Sequence, residues 1–506
     1  MQILIRPTDR LRGPKALDLG PVLSALLAAA KDAPLDLAQL RVVGDWVQYR
    51  QNFREPVDVR AICPTAMAAA RVQRTAAAAD GGTANAALEI ALDLRRANAA
   101  ELPRQLRQAL AAGRNEPGSG NCRLYLEAWG PESESCIWAF NALYWSALGL
   151  WEQATGSEYE RALPKGESDA RNVAGARELI LDLFRVWDEL SAQHALPEDL
   201  YVLELGVGNG NQARVWLDEF LRLDRERNGG AYYRRLHYLM GDYSPHVLER
   251  ARVNVSGHAE RVSSLVLDAR APTQTLRFLS YKAFLIYISN VYDNLPTDEI
   301  VRLGGHLFRV EVRAYIAMAT AEQITSQFGV PASELPDLVG RLLHLGPALL
   351  AEAAAERFHG DPLAVVAFWR ALWEALRLEE RYAPIEGLDT YAVAPEISGE
   401  LLRPIVEANG DVRMHVSNGA AASFADSMPL LHPFGVLHCH DLFVTEIEQY
   451  RTGFRGPGKY DGSVVNWVNG PLLAAIGRRR GFDVQFHPFA HRAGSNVMTM
   501  TARVRE

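Results

Sequence analysis

The sequence predicts an α/β fold built on a doubly wound sheet, and three observations carry that expectation. Short apolar runs ending at polar residues recur at "LYVLELG" (200–206), "LHYLMGD" (236–242), "SSLVLDA" (263–269) and "AFLIYIS" (283–289). Segments of helical spacing separate them, and strands alternating with helices imply a parallel sheet. The last two strand candidates, "FDVQFHPF" (482–489) and "NVMTMTARV" (496–504), are close enough in the chain to form an antiparallel hairpin, which makes one edge mixed.

Bulk properties bound what this sheet can belong to. A chain of 506 residues exceeds one ordinary core, so two or three domains are expected. Its 48% apolar and 23% charged content is that of a soluble globular protein, and a formal net charge of −8 weighs against nucleic acid as a main partner. Cys63, Cys122, Cys136 and Cys439 contain no CxxC pair, so a reducing cytoplasm fits. No run of about 18 apolar residues exists, so no membrane contact is expected. "VLSALLAAA" (22–30) reads as an ordinary buried helix.

Taken in order, residues 1–160 are Ala- and Leu-rich and read as a mainly helical N-terminal domain. "NEPGSGN" (115–121) has loop composition, "CRLYLEAW" (122–129) a short strand, and "CIWAFNALYWSALGLWEQA" (136–154) an aromatic helix of the kind that packs between domains. Residues 161–318 carry the alternating pattern. "NQARVWLDEFLRL" (211–223) puts Ala213, Trp216, Leu217 and Phe220 on one helical face and stops at Asn228-Gly229-Gly230. "TDEIVRL" (297–303) reads as a further helix. Residues 319–410 are expected to be a helical insertion that lids the site, with helices at 336–358 and 364–382. Residues 411–506 return to the sheet with a strand at 435–444, a helix at 464–481 and the hairpin.

The chemistry starts at "ELGVGNGNQA" (204–213), where a strand runs through Gly206, Gly208 and Gly210 into a helix. Such a turn brings bare backbone against a ligand at the helix N-terminus. A dinucleotide fingerprint can be placed on Gly208, Gly210 and Ala213, whereas acidic-x-Gly-x-Gly-x-Gly fits Glu204, Gly206, Gly208 and Gly210 without strain. The second frame resembles motif I of class I S-adenosylmethionine (SAM) methyltransferases. The neighbours favour it over NAD. Asp242, with Tyr243 beside it, ends the second strand where a carboxylate can take both ribose hydroxyls. Asp268 can accept from the adenine amino group, and the Ala269 amide can donate to the ring. Singly, Asp242 can instead cap the helix near Pro245 and Asp268 can simply end a strand.

"FLIYISNVYDNLP" (284–296) is the fourth strand, whose end lies beside the methyl group in that fold. Ser289 is placed with the cofactor, and Asn290 and Asp293 with the acceptor. Methyl transfer from a sulfonium needs in-line approach and a nucleophile able to lose a proton. Asp293 can bind a cationic acceptor or take its proton, or its segment can cap the helix expected next.

"SNVYDNLP" (289–296) resembles the "NEFFDALP" motif of the MidA-like family, whose mitochondrial members are protein arginine methyltransferases acting in respiratory complex I assembly. "DVRMHVSNGAAASFADSMPLLHPFGVLHCHDLF" (411–443) and "DGSVVNWVNGPLLAAIGRRRGFDV" (461–484) are similar to later segments of that family. The resemblance implies a Rossmann-like seven-stranded core, SAM as cofactor with S-adenosylhomocysteine as product, and Asp441 facing the acceptor. Where the family carries Asn-Glu this chain carries Ser289-Asn290, and "GESDARN" (166–172) stands in place of its "GDFxTAPExS".

His438 and His440 project from one face of a strand. No HxxxH or CxxC spacing supports a metal, so ordinary hydrogen-bonded histidines are expected, with His440 or Asp441, at the fifth strand's end, able to reach the acceptor pocket. The expectation is a SAM-dependent methyltransferase acting on a nitrogen or oxygen of a protein or small molecule, with a homodimer allowed. The alternatives are a natural-product methyltransferase, a SAM-binding assembly factor without turnover, and a nicotinamide-dependent oxidoreductase.

Overall fold

The structure, a computed structural model, describes residues 40–45, 51–63, 87–96, 100–113, 123–156, 159, 172–346, 358, 360–408, 410–451, 456–491 and 496–505. It also describes the backbone at 2–5, 20, 24 and 28. Most of 22–30, the loop at 115–121, Cys122 and the 166–171 segment lie outside the described residues.

Residues 1–160 differ from the mainly helical domain expected, because their described part is rich in strands. These are β1 (Gln2–Ile5), β2 (Leu40–Asp45), β3 (Val57–Ile62), β4 (Ala87–Asp93), β5 (Arg123–Tyr125) and β6 (Gly130–Pro131). The physical reason is alternation inside an Ala-rich stretch. Leu88, Ile90 and Leu92 repeat every second residue, as do Val57 and Val59, and a period of 2 buries one face of a strand. Helix α1 (Leu102–Gly113) follows, and the aromatic helix is two, α2 (Cys136–Ser146) and α3 (Leu148–Thr155), broken at Ala147.

Next come α4 (Val173–Ala192), β7 (Leu200–Leu205), α5 (Asn211–Asn228), β8 (Leu236–Asp242), α6 (Pro245–Asn254), β9 (Val262–Val266) and β10 (Ala283–Ser289). The helix expected after Pro296 is instead β11 (Glu299–Leu303), antiparallel to β12 (His306–Ala317). Ile300 and Val301 are β-branched, and Gly304-Gly305, both at positive φ, makes the tight turn between the two strands. Residues 319–410 hold α7 (Met318–Phe328), α8 (Leu335–Leu345) and α9 (Pro362–Ala375). "RLEERYAP", expected to continue the last helix, is strand β13 (Arg377–Pro384). The chain ends with β14 (Val412–His415), α10 (Asn418–Ser427), β15 (Leu431–Asp441), α11 (Gly470–Arg479), β16 (Phe482–Pro488) and β17 (Met498–Val504).

Two large sheets result. One has the order β16-β17-β15-β10-β7-β8-β9; β15, β10, β7, β8 and β9 are mutually parallel, while β17 runs antiparallel to β15 and β16 antiparallel to β17. Its faces are covered by two cores. Phe184, Trp187, Trp216 and Phe220 pack on one side, and Phe424, Leu472 and Ile476 on the other. The second sheet runs β1-β2-β4-β3-β13-β12-β11-β14, with β5 and β6 on β12. The N-terminal strands and the middle of the chain therefore share one sheet. Trp138, Phe140, Trp151, Trp369 and Trp373 form its core with Val310 and Val312.

This second sheet buries ions. Glu380 lies 2.7 Å from Arg54, 2.7 Å from Arg60 and 2.8 Å from Arg413. Arg60 also pairs with Glu89 at 2.8 Å, Arg413 with Glu299, and Arg41 with Glu89 at 3.0 Å. Burial alone would push the Glu380 carboxyl up, but the three guanidiniums outweigh it and hold it well below the usual carboxylate range. Among the described residues no helix is long and apolar enough to cross a membrane, and no group of three His, Cys, Asp or Glu could hold a metal ion.

Candidate active site

The glycine turn follows β7. Gly206, Gly208 and Gly210 have φ of +74°, +57° and +78°, which L side chains adopt only under strain. Space forbids a side chain as well. A Cβ on Gly206 would lie 2.3 Å from Val291 Cγ2, and one on Gly210 would lie 2.7 Å from the Ala251 backbone. The turn is thus pressed against the exit of β10 on one side and against α6 on the other. A Cβ on Gly208 would stand 2.8 Å from the Tyr159 hydroxyl.

Asp242 closes the turn from the neighbouring strand. Its Oδ2 accepts from the Gly208 amide at 3.1 Å and its Oδ1 from Ser244 at 3.0 Å. Ser244 rather than Asp242 caps α6, its Oγ accepting from Val247 at 3.3 Å. Burial pushes the Asp242 carboxyl up to about 6, against three backbone amides that pull it down. Tyr243 beside it is exposed. Glu204 sits lower and is only 2% exposed. The Tyr238 hydroxyl donates to it at 2.5 Å, and burial raises its carboxyl to about 8. Sequence reasoning missed Tyr238; its place two residues before Met240 on the face of Asp242 was the available signal.

Asp268 and Ala269 follow β9, partly exposed. Arg270 folds back on Asp268 with a two-pronged contact at 2.7 and 3.0 Å. Burial raises this carboxyl, and the Arg270 bonds outweigh it, leaving it below its ordinary value. The structure therefore gathers the glycines and Asp242 around one turn, with Asp268 at the next strand end.

At the exit of β10, Ser289 and Asn290 are partly exposed and Asn290 is left-handed, with φ of +52°. The following turn differs from both expectations placed on it. Asp441, expected to face the acceptor, is wholly buried beneath it. Its Oδ2 accepts from the amides of Val291, Tyr292 and Asp293 at 3.1, 2.8 and 3.3 Å, and its Oδ1 from Leu442 at 2.7 Å. The cause is that the tight turn leaves three amides pointing inward, and a buried amide requires an acceptor. Asp293 is also buried, 5% exposed, and hydrogen-bonds Asp441. Burial and the Asp441 charge push Asp293 well above the carboxylate range, and burial raises Asp441 to about 6. Asn294 Nδ2 donates to Asp293 at 2.7 Å. Of the three residues assigned to the acceptor, Asn290 alone is partly exposed.

The same end of the sheet carries side chains the sequence underplayed. Tyr287, His438 and His440 cluster, with His440 4.6 Å from His438 and 5.6 Å from Tyr287, measured between ring centroids. Phe489, from the hairpin, packs 4.8 Å from His440. Tyr287 was legible as the residue two before Ser289; Phe489 was not, because only the hairpin's turn brings it back.

No family model matches the chain, and no curated protein matches it. Solved structures do. A Burkholderia thailandensis protein bound to S-adenosyl-homocysteine is 15% identical, over 79% of this chain and 94% of that one, with a TM-score of 0.44. A second structure from that organism, of an uncharacterized protein, is 13% identical over 79% and 93%, with a TM-score of 0.42. The DszA carbon methyltransferase is 10% identical over 99% and 94%, with a TM-score of 0.31. At such identities and scores these likenesses assign neither family nor acceptor to this chain.

Proposed function

We propose that this chain is a SAM-dependent methyltransferase acting on a nitrogen or oxygen acceptor. The carrying observation is the turn of three left-handed glycines whose middle amide is held by Asp242 from the next strand end. The residues present fit the cofactor. The glycines leave bare backbone where any Cβ would clash, α5 begins at Gly210, and Asp242 keeps lone pairs for two ribose hydroxyls after its amide bonds. Asp268 and the Ala269 amide would hold the adenine, with Arg270 turning aside. When bound, SAM supplies an electrophilic methyl on a sulfonium.

This chain's own residues then position and exclude. Asp441 fixes the 291–293 turn, and with it the partly exposed Ser289 and Asn290 that precede the turn. Glu204, tied to Tyr238, supports the turn from below. Transfer to a protein arginine, which the MidA-like resemblance implies, is disfavoured here, because both carboxylates expected near a guanidinium are buried under the turn. Calorimetry with SAM and with NAD tests the proposal: SAM is expected to bind and NAD not, and the reverse would overturn it. Labelled-methyl transfer into lysate, split into protein and small-molecule fractions, then finds the acceptor; label in neither would favour a SAM-binding assembly factor.

A further inference from the structure

We infer that the methyl acceptor is an uncharged planar hydroxyl compound, of the phenol or enol class, and that His440 takes its proton. The inference rests on the methyl-transfer reading above and adds the acceptor's chemistry to it.

Position comes first. Ser289 on β10 pairs with His440 on β15, and Tyr287 pairs with His438. Glu204 on β7 pairs with Tyr287, and Thr499 on β17 pairs with His440. Paired residues on neighbouring strands share a face. His440 therefore stands on the face of Glu204 and Asp242, at the glycine-turn end, two strand spacings or roughly 10 Å from β7. His440 and the glycine turn thus flank the end of β10, at Ser289, from its two sides.

Chemistry comes second. His440 Nδ1 lies 2.9 Å from the Thr499 hydroxyl oxygen. With Nδ1–H donating there, the lone pair is on Nε2. Nε2 makes no hydrogen bond among the described residues and keeps contact with solvent. The titratable groups facing His440 are His438 on its own strand, Tyr287 on β10 and His491 from the hairpin. His491 lies 3.1 Å from Glu178 on α4, and Arg503 on β17 acts on His438. Burial first, then the two histidines, keep His440 well below its ordinary value, so it is neutral near pH 7.

The walls select the acceptor. Tyr287, His438 and Phe489 are aromatic and uncharged, while Asp293 and Asp441 lie under the turn and Glu204 is tied to Tyr238. A guanidinium or ammonium would find there no carboxylate but Glu178, which His491 already engages at 3.1 Å, to compensate its lost hydration. A neutral hydroxyl finds a base and flat surfaces. The acceptor oxygen forms a bond to the methyl carbon as the carbon–sulfur bond breaks, with that electron pair remaining on sulfur. The acceptor's proton passes to Nε2, and the imidazolium returns it to water. The proton becomes strongly acidic as the new bond forms, so a weakly basic imidazole suffices.

The test compares two phenols in wild type and H440Q. Transfer of labelled methyl to 2-naphthol is expected to fall by about 100-fold or more in H440Q. Transfer to 4-nitrophenol at pH about 8, where it is already ionised, should fall far less. SAM affinity measured by calorimetry should stay within about twofold, which also reports that the variant folds. Independently of turnover, 2-naphthol added to protein loaded with S-adenosylhomocysteine should shift the His440 Nε2 resonance. Equal losses on both phenols would assign His440 a structural role and overturn the inference. So would faster transfer to agmatine than to either phenol, or SAM binding with no phenol methylated and no shift. Absence of SAM binding would instead overturn the methyltransferase reading itself.

Discussion

The two sheets treat buried charge in opposite ways. In the ten-stranded sheet Glu380 meets three guanidiniums, and Arg60 and Arg413 each bridge two carboxylates. Glu89, Glu299 and Glu380 each meet at least one guanidinium, whereas Asp58 on the same sheet has no ion pair among the described residues and burial raises it to about 7. At the ends of the seven-stranded sheet Glu204, Asp242, Asp293 and Asp441 have no cation facing them among the described residues; amides, a tyrosine and one another hold them, Glu204 is raised to about 8, Asp242 and Asp441 to about 6, and Asp293 well above its ordinary value. The first arrangement is architecture. The second leaves capacity unspent, which is what a ligand needs. Buried ionisable groups therefore mark a site only where their partners are incomplete.

This contrast can be broken by mutation. Glu380→Ala strands three guanidiniums and should cost about 3–5 kcal/mol of stability by denaturant unfolding, with SAM affinity of the folded protein unchanged. Loss of SAM binding in that variant would join the two sheets functionally. Asp242→Ala should do the reverse, weakening SAM by about 1.5–3 kcal/mol in calorimetry with a smaller effect on unfolding. The ionised form is the binding form, so wild-type affinity should hold above pH about 7 and decline as pH falls through about 6. Binding near that pH should release protons, visible as a buffer-dependent heat.

Smaller effects probe the pair beneath the turn. Both Asp293 and Asp441 are raised, so the stability they contribute is present at low pH and is lost as pH rises through about 6. Asp293→Asn keeps a donor toward Asp441 without a second charge. It should raise stability by about 1 kcal/mol at pH about 8 and by little at pH about 4, read from thermal unfolding. A stability gain at the lower pH would refute the assignment of this pH dependence to repulsion between the two carboxylates. Arg270→Ala should change stability by no more than about 1 kcal/mol, because its pair with Asp268 is half-exposed.

Much of the candidate site's geometry was legible because its signals are local. Glycines at positive φ, and acids at the ends of apolar runs, follow from the backbone needs of single turns. The strands at 200–205, 236–242 and 283–289 announced themselves by composition. What sequence reading missed depends on distant pairing. "TDEIVRL" and "RLEERYAP" look helical alone and become strands because β12 offers both an antiparallel partner. Asp441 looked like a site residue because it ends a strand; its capture by the 291–293 amides, about 150 residues away, has no local trace. The strands β2–β4 were hidden by the Ala content around them.

The shared ten-stranded sheet also sets a schedule for synthesis. β3 joins it by pairing with β13, Ala61 opposite Arg381 and Ile62 opposite Tyr382. The N-terminal strands leave the ribosome first and wait for a partner more than 300 residues downstream. At roughly 5–20 residues per second that delay is on the order of tens of seconds. During it the free edge of β3 is a template for any other strand. Arg54 and Arg60 also lack Glu380 until that partner arrives. The nascent chain is therefore most exposed to misassembly, and most in need of a chaperone, between completion of β4 and emergence of β13.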